Sequence, residues 1–115
     1  MAVIVELSAA LICFLGSCYP ALIGQTTPVG EYRLEQRQTT HYGYGGDLLV
    51  FKDDGHQLFA VRRLVNFEPG QRRYHRIHSK KVGDRIITDG CINLEPDVYQ
   101  KLVDCCAKDI LVISK

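Results

Sequence analysis

The sequence predicts a mainly β domain with a single helix near its carboxyl end. Short runs of β-branched and aromatic residues alternate with glycine-rich turns, and only one segment shows helical spacing of apolar residues. Apolar residues make up 46% of the 115 residues, which is enough for one compact core. No repeat and no linker divides the chain, so we expect one domain over residues 1–115.

The amino-terminal part of the chain predicts a β-hairpin. Residues 3–14 and 18–23 are apolar and β-branched, and residues 16–17, a Gly-Ser pair, form the expected turn. The first basic residue is Arg33, and Glu6 interrupts the apolar run. The segment therefore lacks both the basic start of a secretory signal and the unbroken length of a membrane span.

Two features of this hairpin stay open on sequence alone. Cys13 and Cys18 flank the turn, where they either form a disulfide or remain buried thiols. Cys18 also follows a Leu-Gly-Ser step that is similar to a lipoprotein cleavage site. A membrane-anchored lipoprotein is therefore the alternative to the hairpin.

Short strands and turns are predicted for the middle of the chain. Residues 31–34 alternate like a strand with one buried face. Residues 48–51 and 57–64 flank an Asp-Gly step, which is a strong signal for a hairpin turn. Residues 41–47 contain three glycines and two tyrosines, and this composition predicts a flexible loop.

Tyrosines and basic residues supply candidate substrate contacts. Tyr42 and Tyr44, in the glycine-rich loop, either cover the substrate as a lid or pack at a sheet edge. The segment from Arg62 to Arg85 contains eight Lys and Arg residues but only two acids. This excess of positive charge indicates either a solvated rim or a surface that attracts carboxylates. Arg76 is the first choice for such a contact. The net charge of +1 argues against a dedicated nucleic-acid binder.

Helical spacing is confined to residues 95–108. Pro96 suits the first turn, and Asp97 favours the helix dipole. The apolar positions with helical spacing are Leu94, Val98, Leu102, Cys105 and Cys106. Cys105 and Cys106 are expected to fill core or half-exposed helix positions. Residues 85–88 and 110–113 predict two further short strands.

Cys91 is the candidate nucleophile. It follows Gly90 in a tight turn whose backbone amides can point at one spot, as a developing oxyanion requires. His78 lies 13 positions upstream, and a hairpin over the intervening loop would bring its imidazole to the thiol as a Cys–His pair. A zinc site built from His75, His78, Cys91 and the Cys105-Cys106 pair is disfavoured. The chain has no Cys-x-x-Cys motif, and the side chains of the pair would point to different helix faces.

Three ordered blocks resemble the YkuD-type L,D-transpeptidase catalytic domain. They are Ile-His-Ser at 77–79, Thr-Asp-Gly-Cys-Ile-Asn-Leu at 88–94, and Gln-Thr-Thr-Pro-Val-Gly-Glu-Tyr at 25–32. With the flanking hairpin and helix, the resemblance covers nearly the whole chain. It implies a β-sandwich or barrel-like fold and acyl transfer on peptidoglycan peptide stems, without a cofactor or a metal.

The resemblance also implies roles for single residues. Cys91 would attack the L,D-amide of a tetrapeptide stem, and His78 would serve as general base and then as general acid. Ser79 would orient the imidazole through its backbone carbonyl, and the amides of Gly90 and Cys91 would hold the oxyanion. Asn93 would shape the turn or the substrate pocket.

The chain departs from the family pattern at two places. The segment between His78 and Thr88 is shorter than usual, and Asp89, a further candidate substrate contact, stands where histidine is common. These departures bear on the choice of acyl acceptor and on the reaction rate more than on the class of reaction. The five cysteines are an odd number, so at least one thiol stays unpaired, and the motif assigns that role to Cys91.

Several outcomes of the implied reaction stay open. An amine of a second stem gives a 3,3 cross-link, water gives L,D-carboxypeptidase activity, and a D-amino acid gives exchange. The alternatives are a secreted effector toxin with the same site and a non-catalytic wall-binding module. We expect action in the periplasm or cell wall, with delivery by a specialised secretion system because no export signal is evident. A secretion carrier or an immunity protein would then be a partner.

Overall fold

The computed structural model describes residues 2–40, 46–65 and 69–115. Within these ranges the chain forms nine strands in two sheets and an 11-residue helix near the carboxyl end, which confirms the predicted fold class. The strands are β1 (Ala2–Glu6), β2 (Leu11–Phe14), β3 (Ser17–Pro20), β4 (Gly30–Arg33), β5 (Glu35–Gln38), β6 (Asp47–Asp53), β7 (Leu58–Arg63), β8 (Ile92–Leu94) and β9 (Ile110–Ser114). The helices are α1 (Arg73–Arg76) and α2 (Pro96–Cys106), and 3-10 turns lie at Pro69–Gln71 and Val82–Arg85.

Parallel strand pairs set the topology of both sheets. The larger sheet has the order β3-β2-β1-β9-β4, and β9 runs parallel to β1. The smaller sheet has the order β5-β6-β7-β8, and β8 runs parallel to β7. The amino ends of parallel strands lie at the same sheet edge. The segments that precede β7 and β8 are therefore neighbours.

The main apolar core lies between the two sheets and is closed by α2. In β1, Val3 and Val5 are fully buried while Ile4 is exposed, as expected for a strand with one face on the core. Tyr99 and Leu102 of α2 are fully buried in the same core. Neither helix of the described ranges has the length and apolar character needed to cross a membrane.

The predicted amino-terminal hairpin is wrong in detail. Residues 3–14 hold two antiparallel strands, β1 and β2, because the chain reverses at residues 7–10. This reversal uses Ala10 at a φ of 49°, and no Gly, Pro, Asn or Asp marks it in the sequence. The next turn is centred on Leu15 and Gly16, one residue before the predicted pair. Their φ values of 50° and 79° match the twist of a two-residue hairpin.

The predicted strand at residues 85–88 is also wrong. The chain before it forms a 3-10 turn, and Ile86 makes only an isolated bridge to Ile23. β8 forms instead, directly after Cys91. β5 carries no sequence signal for a strand because its four residues are polar and exposed. The strands expected at 31–34, 48–51, 57–64 and 110–113 and the helix expected at 95–108 are confirmed, with the bounds given above.

Four of the five cysteines are paired. Cys13 and Cys18 lie opposite each other in the β2–β3 hairpin, with Cα atoms 4.0 Å apart, and form a disulfide. Cys105 and Cys106 form a second disulfide at the end of α2, a pairing that the sequence leaves open. Cys106 is buried, as expected, whereas Cys105 is exposed. Cys91 keeps a free thiol, which confirms the assignment of the odd cysteine.

Asp47 links three other elements to β6 at the edge of the core. Its carboxylate accepts hydrogen bonds from Gln36 of β5 and Tyr99 of α2, at 3.0 and 3.1 Å. It also forms an ion pair of 2.5 Å with Arg63 of β7. Burial by itself raises the pKa of Asp47, but the bonds from these three donors outweigh it and hold the pKa below its ordinary value.

Asp47→Asn is expected to lower the free energy of unfolding by about 2 kcal/mol at neutral pH, since bonds to a charged acceptor are lost. A lowered folded-state pKa stabilises the fold above the unfolded pKa of 3.8, and this contribution disappears as pH falls through the folded value. Urea unfolding at a series of pH values should therefore show the gap between wild type and variant shrinking in acid. Asp104→Asn, on the exposed face of α2, is the control. A gap that is the same at neutral and acid pH contradicts this account of Asp47.

Candidate active site

Cys91 ends a turn that is closed by the Thr88 side chain. The Thr88 hydroxyl donates to the carbonyl oxygen of Cys91 at 2.6 Å and accepts from the amide of Gly90 at 3.2 Å. Gly90 has a φ of 122°, and a Cβ atom there would lie 2.6 Å from the Phe59 ring. Both the backbone conformation and the space therefore require glycine before the thiol.

Two threonines hold this turn from the other side. The Thr26 hydroxyl donates to the carbonyl oxygen of Asp89 at 3.1 Å, and the Thr27 hydroxyl donates to that of Gly90 at 3.0 Å. Thr27 is buried, which shields its bond from water. The proline-containing block and the cysteine block of the sequence are thus in direct contact.

Cys91 opens onto a cavity of about 930 Å³. The turn between β6 and β7 forms part of its wall through His56, Gln57 and Leu58. The Cys91 thiol is half-buried and lies 3.6 Å from the carbonyl oxygen of Leu58. The thiol is thus next to the hairpin turn, as the parallel pairing of β7 and β8 requires.

Two largely buried arginines line the same cavity. Arg62 of β7 and Arg73 of α1 are 7% and 8% exposed. Arg73 donates hydrogen bonds of 2.7 Å to the side chains of Asn93 and Gln71. Guanidinium groups held in fixed positions are well suited to bind carboxylates.

His78 lines a different cavity, of about 780 Å³. The side chain of His78 is 63% exposed, and its Nε2 lies 3.7 Å from a carboxylate oxygen of Glu95. None of the described residues lines both cavities. The predicted hairpin would have folded His78 onto Cys91. A 3-10 turn at Val82–Arg85 forms in its place, and α1 ends just before His78. The structure does not bring this pair together on one cavity, and the pairing stays a prediction of the sequence.

Ser79 and Arg76 accompany His78 in the second cavity. The carbonyl oxygen of Ser79, predicted to orient the imidazole, accepts a hydrogen bond from the Arg85 guanidinium. The Ser79 hydroxyl donates to the Asp84 carboxylate at 2.6 Å. Arg76 donates to the carbonyl oxygens of Gln71 and Asp84, at 2.9 and 3.3 Å. The side chains of this cluster are bonded within their own segment of the chain, and the cluster is separate from the Cys91 thiol.

The other predicted contacts fall in different places. Asn93 is fully buried, and its side-chain oxygen accepts a hydrogen bond from Arg73. It therefore holds a residue of the cavity wall rather than lining the cavity itself. Asp89 lines the Cys91 cavity, and its role as a substrate contact stays a prediction. The Gly90 amide, predicted to hold the oxyanion, donates to Thr88 in this conformation. Tyr42 and Tyr44 lie outside the described residues.

Sequence reasoning missed the residues that surround the thiol. The strongest signal was the Asp-Gly step before His56, which marks the turn but does not say what the turn packs against. Arg62 and Arg73 belong to the basic segment, where no pattern separates them from the exposed members. Within the described ranges, no group of three or more His, Cys, Asp or Glu side chains is arranged to hold a metal ion.

Several solved structures of L,D-transpeptidases share this architecture. The structure from Xylanimonas cellulosilytica (residues 123–326) matches 98% of this chain and 59% of its own, with a TM-score of 0.63 and 15% identity. The one from Mycobacterium smegmatis matches 99% and 58%, with a TM-score of 0.57 and 16% identity. The one from Stackebrandtia nassauensis matches 99% and 55%, with a TM-score of 0.54 and 14% identity.

This chain has the L,D-transpeptidase fold. The fold that the three sequence blocks imply is thereby confirmed. The chain spans less than two thirds of the length of each of these structures. No protein-family model matches the sequence, and no curated protein matches it.

Proposed function

We propose that this chain is a peptidoglycan-modifying cysteine acyltransferase that acts on the L,D-amide of tetrapeptide stems. The observation that carries the proposal is the free thiol of Cys91, held in a braced turn at the wall of a large cavity. A nucleophilic cysteine needs an accessible sulfur and a fixed direction of attack. Cys91 has both, because Thr27 and Thr88 fix the turn that carries it.

The proposed reaction proceeds through a thioester. The Cys91 sulfur attacks the carbonyl carbon of the L,D-amide, the C–N bond breaks, and the amine leaves with the thiol proton. An amine of a second stem then attacks the thioester, the C–S bond breaks, and a new amide forms while the sulfur regains a proton. Water in place of the amine gives a carboxylate, and a D-amino acid gives an exchanged stem.

The charge of the cavity supports an anionic substrate. The described residues that line the cavity include two arginines, Arg62 and Arg73, and one carboxylate, that of Asp89. The positive charges therefore outnumber the negative charge. A peptide stem that ends in a carboxylate would gain charge-assisted hydrogen bonds from these guanidiniums. The arginines take over the role that the sequence assigns to Arg76, which lines the second cavity.

The site of action follows from the proposed substrate. Peptidoglycan stems are found in the cell wall, so we place the activity in the periplasm or wall, with residues 1–115 acting as one catalytic domain. A secretion carrier and an immunity protein belong to the same proposal as partners for delivery and neutralisation.

Incubation of the protein with tetrapeptide-rich muropeptides, followed by separation and mass analysis, tests this function. Dimers with 3,3 links indicate transpeptidation, tripeptides indicate L,D-carboxypeptidation, and incorporated D-amino acid indicates exchange. Stems of which the third residue is followed by an L-amino acid serve as the substrate control. If none of the three products forms, the catalytic proposal fails and a wall-binding module remains.

A further inference from the structure

His56 lies in the turn between β6 and β7, on the wall of the cavity that contains Cys91. The sequence-predicted partner, His78, lines the second cavity. A general base must come within hydrogen-bond reach of the proton that it removes, directly or through one water. Of these two imidazoles, only that of His56 borders the space into which the thiol opens.

The turn that carries His56 is well ordered by its own side chains. The Asp54 carboxylate accepts the amide protons of Gln57 and His56, at 2.8 and 2.9 Å, and the Asp53 carboxylate accepts that of Gly55 at 3.1 Å. The bonds from Gln57 and then His56 lower the pKa of Asp54, so these contacts persist at neutral pH. The backbone of His56 is therefore fixed relative to β7.

The residues that follow His56 contact the cysteine turn directly. The Gln57 side chain donates to the carbonyl oxygen of Asp89 at 2.6 Å, and the Leu58 carbonyl oxygen lies 3.6 Å from the Cys91 sulfur. Consecutive Cα atoms are about 3.8 Å apart, so His56 Cα lies within about 7.6 Å of Leu58 Cα. These two contacts hold the His56 segment beside the thiol.

The His56 imidazole is not held by another side chain of the described residues. Among the described residues it makes no hydrogen bond or ion pair, whereas His78 lies near the Glu95 carboxylate. Among the described residues, the charged groups that share the cavity are Arg62 of β7, Arg73 of α1 and Asp89 of the cysteine turn. These residues give the cavity wall two guanidiniums and one carboxylate besides His56 and Cys91.

We propose that His56 is the catalytic imidazole of this chain, an inference that rests on the proposed acyl transfer at Cys91. The imidazole accepts the proton of the Cys91 thiol as the sulfur attacks the amide carbon. It then gives this proton to the leaving amine as the C–N bond breaks. In the second half-reaction it takes a proton from the incoming amine or water and returns it to the sulfur.

Three histidine variants of the full chain test this assignment with tetrapeptide muropeptides as the probe. His56→Gln is expected to lower kcat by about 10²-fold or more, the usual contribution of general acid–base catalysis, and to remove the imidazole limb from the pH profile. His75→Gln, an exposed residue of the second cavity, is the matched control and should keep wild-type turnover. His78→Gln measures the sequence-based alternative.

A second readout needs no substrate. Cys91 is the free thiol of the chain, so iodoacetamide under non-reducing conditions modifies it selectively. Loss of the neighbouring imidazole in His56→Gln should slow this alkylation on the order of tenfold at neutral pH, because less thiolate is formed. His75→Gln should alkylate at the wild-type rate.

The outcomes separate this inference from the proposed function. If Cys91→Ala keeps full turnover, the proposed function fails. If Cys91→Ala is inactive while His56→Gln keeps its kcat and pH profile, the acyl transfer stands and the assignment of His56 is overturned. Wild-type alkylation of His56→Gln also overturns the assignment, whichever histidine turnover requires. Circular dichroism of each variant confirms that the fold is retained.

Discussion

Cys91→Ala is expected to remove turnover of tetrapeptide stems, with a fall in kcat of about 10⁴-fold or more. The proposed reaction forms its covalent bond at this sulfur, so no other described group can replace it, and losses of this size are typical when a nucleophile is removed. The measurement is the rate of product formation by wild type and variant on the same muropeptides.

The fold should survive this change. Among the described residues, the half-buried Cys91 side chain makes one weak hydrogen bond, to the Leu58 carbonyl oxygen, so the free energy of unfolding should change by less than about 1 kcal/mol. Cys91→Ser is the second variant, since it keeps the size of the side chain and loses the reactive sulfur. Full activity of either folded variant would place the chemistry elsewhere.

Gly24→Ala is expected to disturb the site without touching the thiol. A Cβ at position 24 would lie 2.3 Å from the carbonyl oxygen of Thr88 and 2.7 Å from the amide nitrogen of Gly90. Both are backbone atoms, so the turn that carries Cys91 must move. We expect a loss of about 1–3 kcal/mol in stability, as for other overpacked sites, and a fall in kcat of about 10²-fold.

Gly83→Ala is the matched control because a Cβ there meets nothing within 4 Å. It should keep wild-type stability and turnover. Urea unfolding and muropeptide turnover of both variants make the comparison. If Gly24→Ala behaves like Gly83→Ala in both assays, the close approach of residue 24 to the cysteine turn is not needed for the site.

Local patterns predicted the elements that depend on neighbours in sequence. The apolar spacing and Pro96 indicate α2, and the Asp-Gly step indicates the β6–β7 hairpin, because both signals act within a few residues. The Gly90 turn before Cys91 is another such case, since it depends on the φ of a single residue. The reversal at residues 7–10 was not predicted because it contains no Gly, Pro, Asn or Asp, and a single serine is only a weak turn signal.

The arrangement around the thiol depends on contacts between distant residues. Gln57 and Asp89 are 32 positions apart and meet because β8 joins β7 in parallel. The short separation in sequence suggested that His78 lies close to Cys91. A short separation limits how far apart two residues can be, but it does not determine which side of the fold each of them reaches. A one-turn helix and a 3-10 turn direct His78 to the second cavity, and neither has a strong local signal.

Mass spectrometry of the protein mixed with a tetrapeptide stem tests the central claim most directly. We expect a transient mass increase equal to the stem minus its terminal amino acid, located by proteolysis to the peptide that contains Cys91 and absent from Cys91→Ala. Product formation without this adduct, or with the adduct on another residue, would contradict the proposed acyl transfer at Cys91.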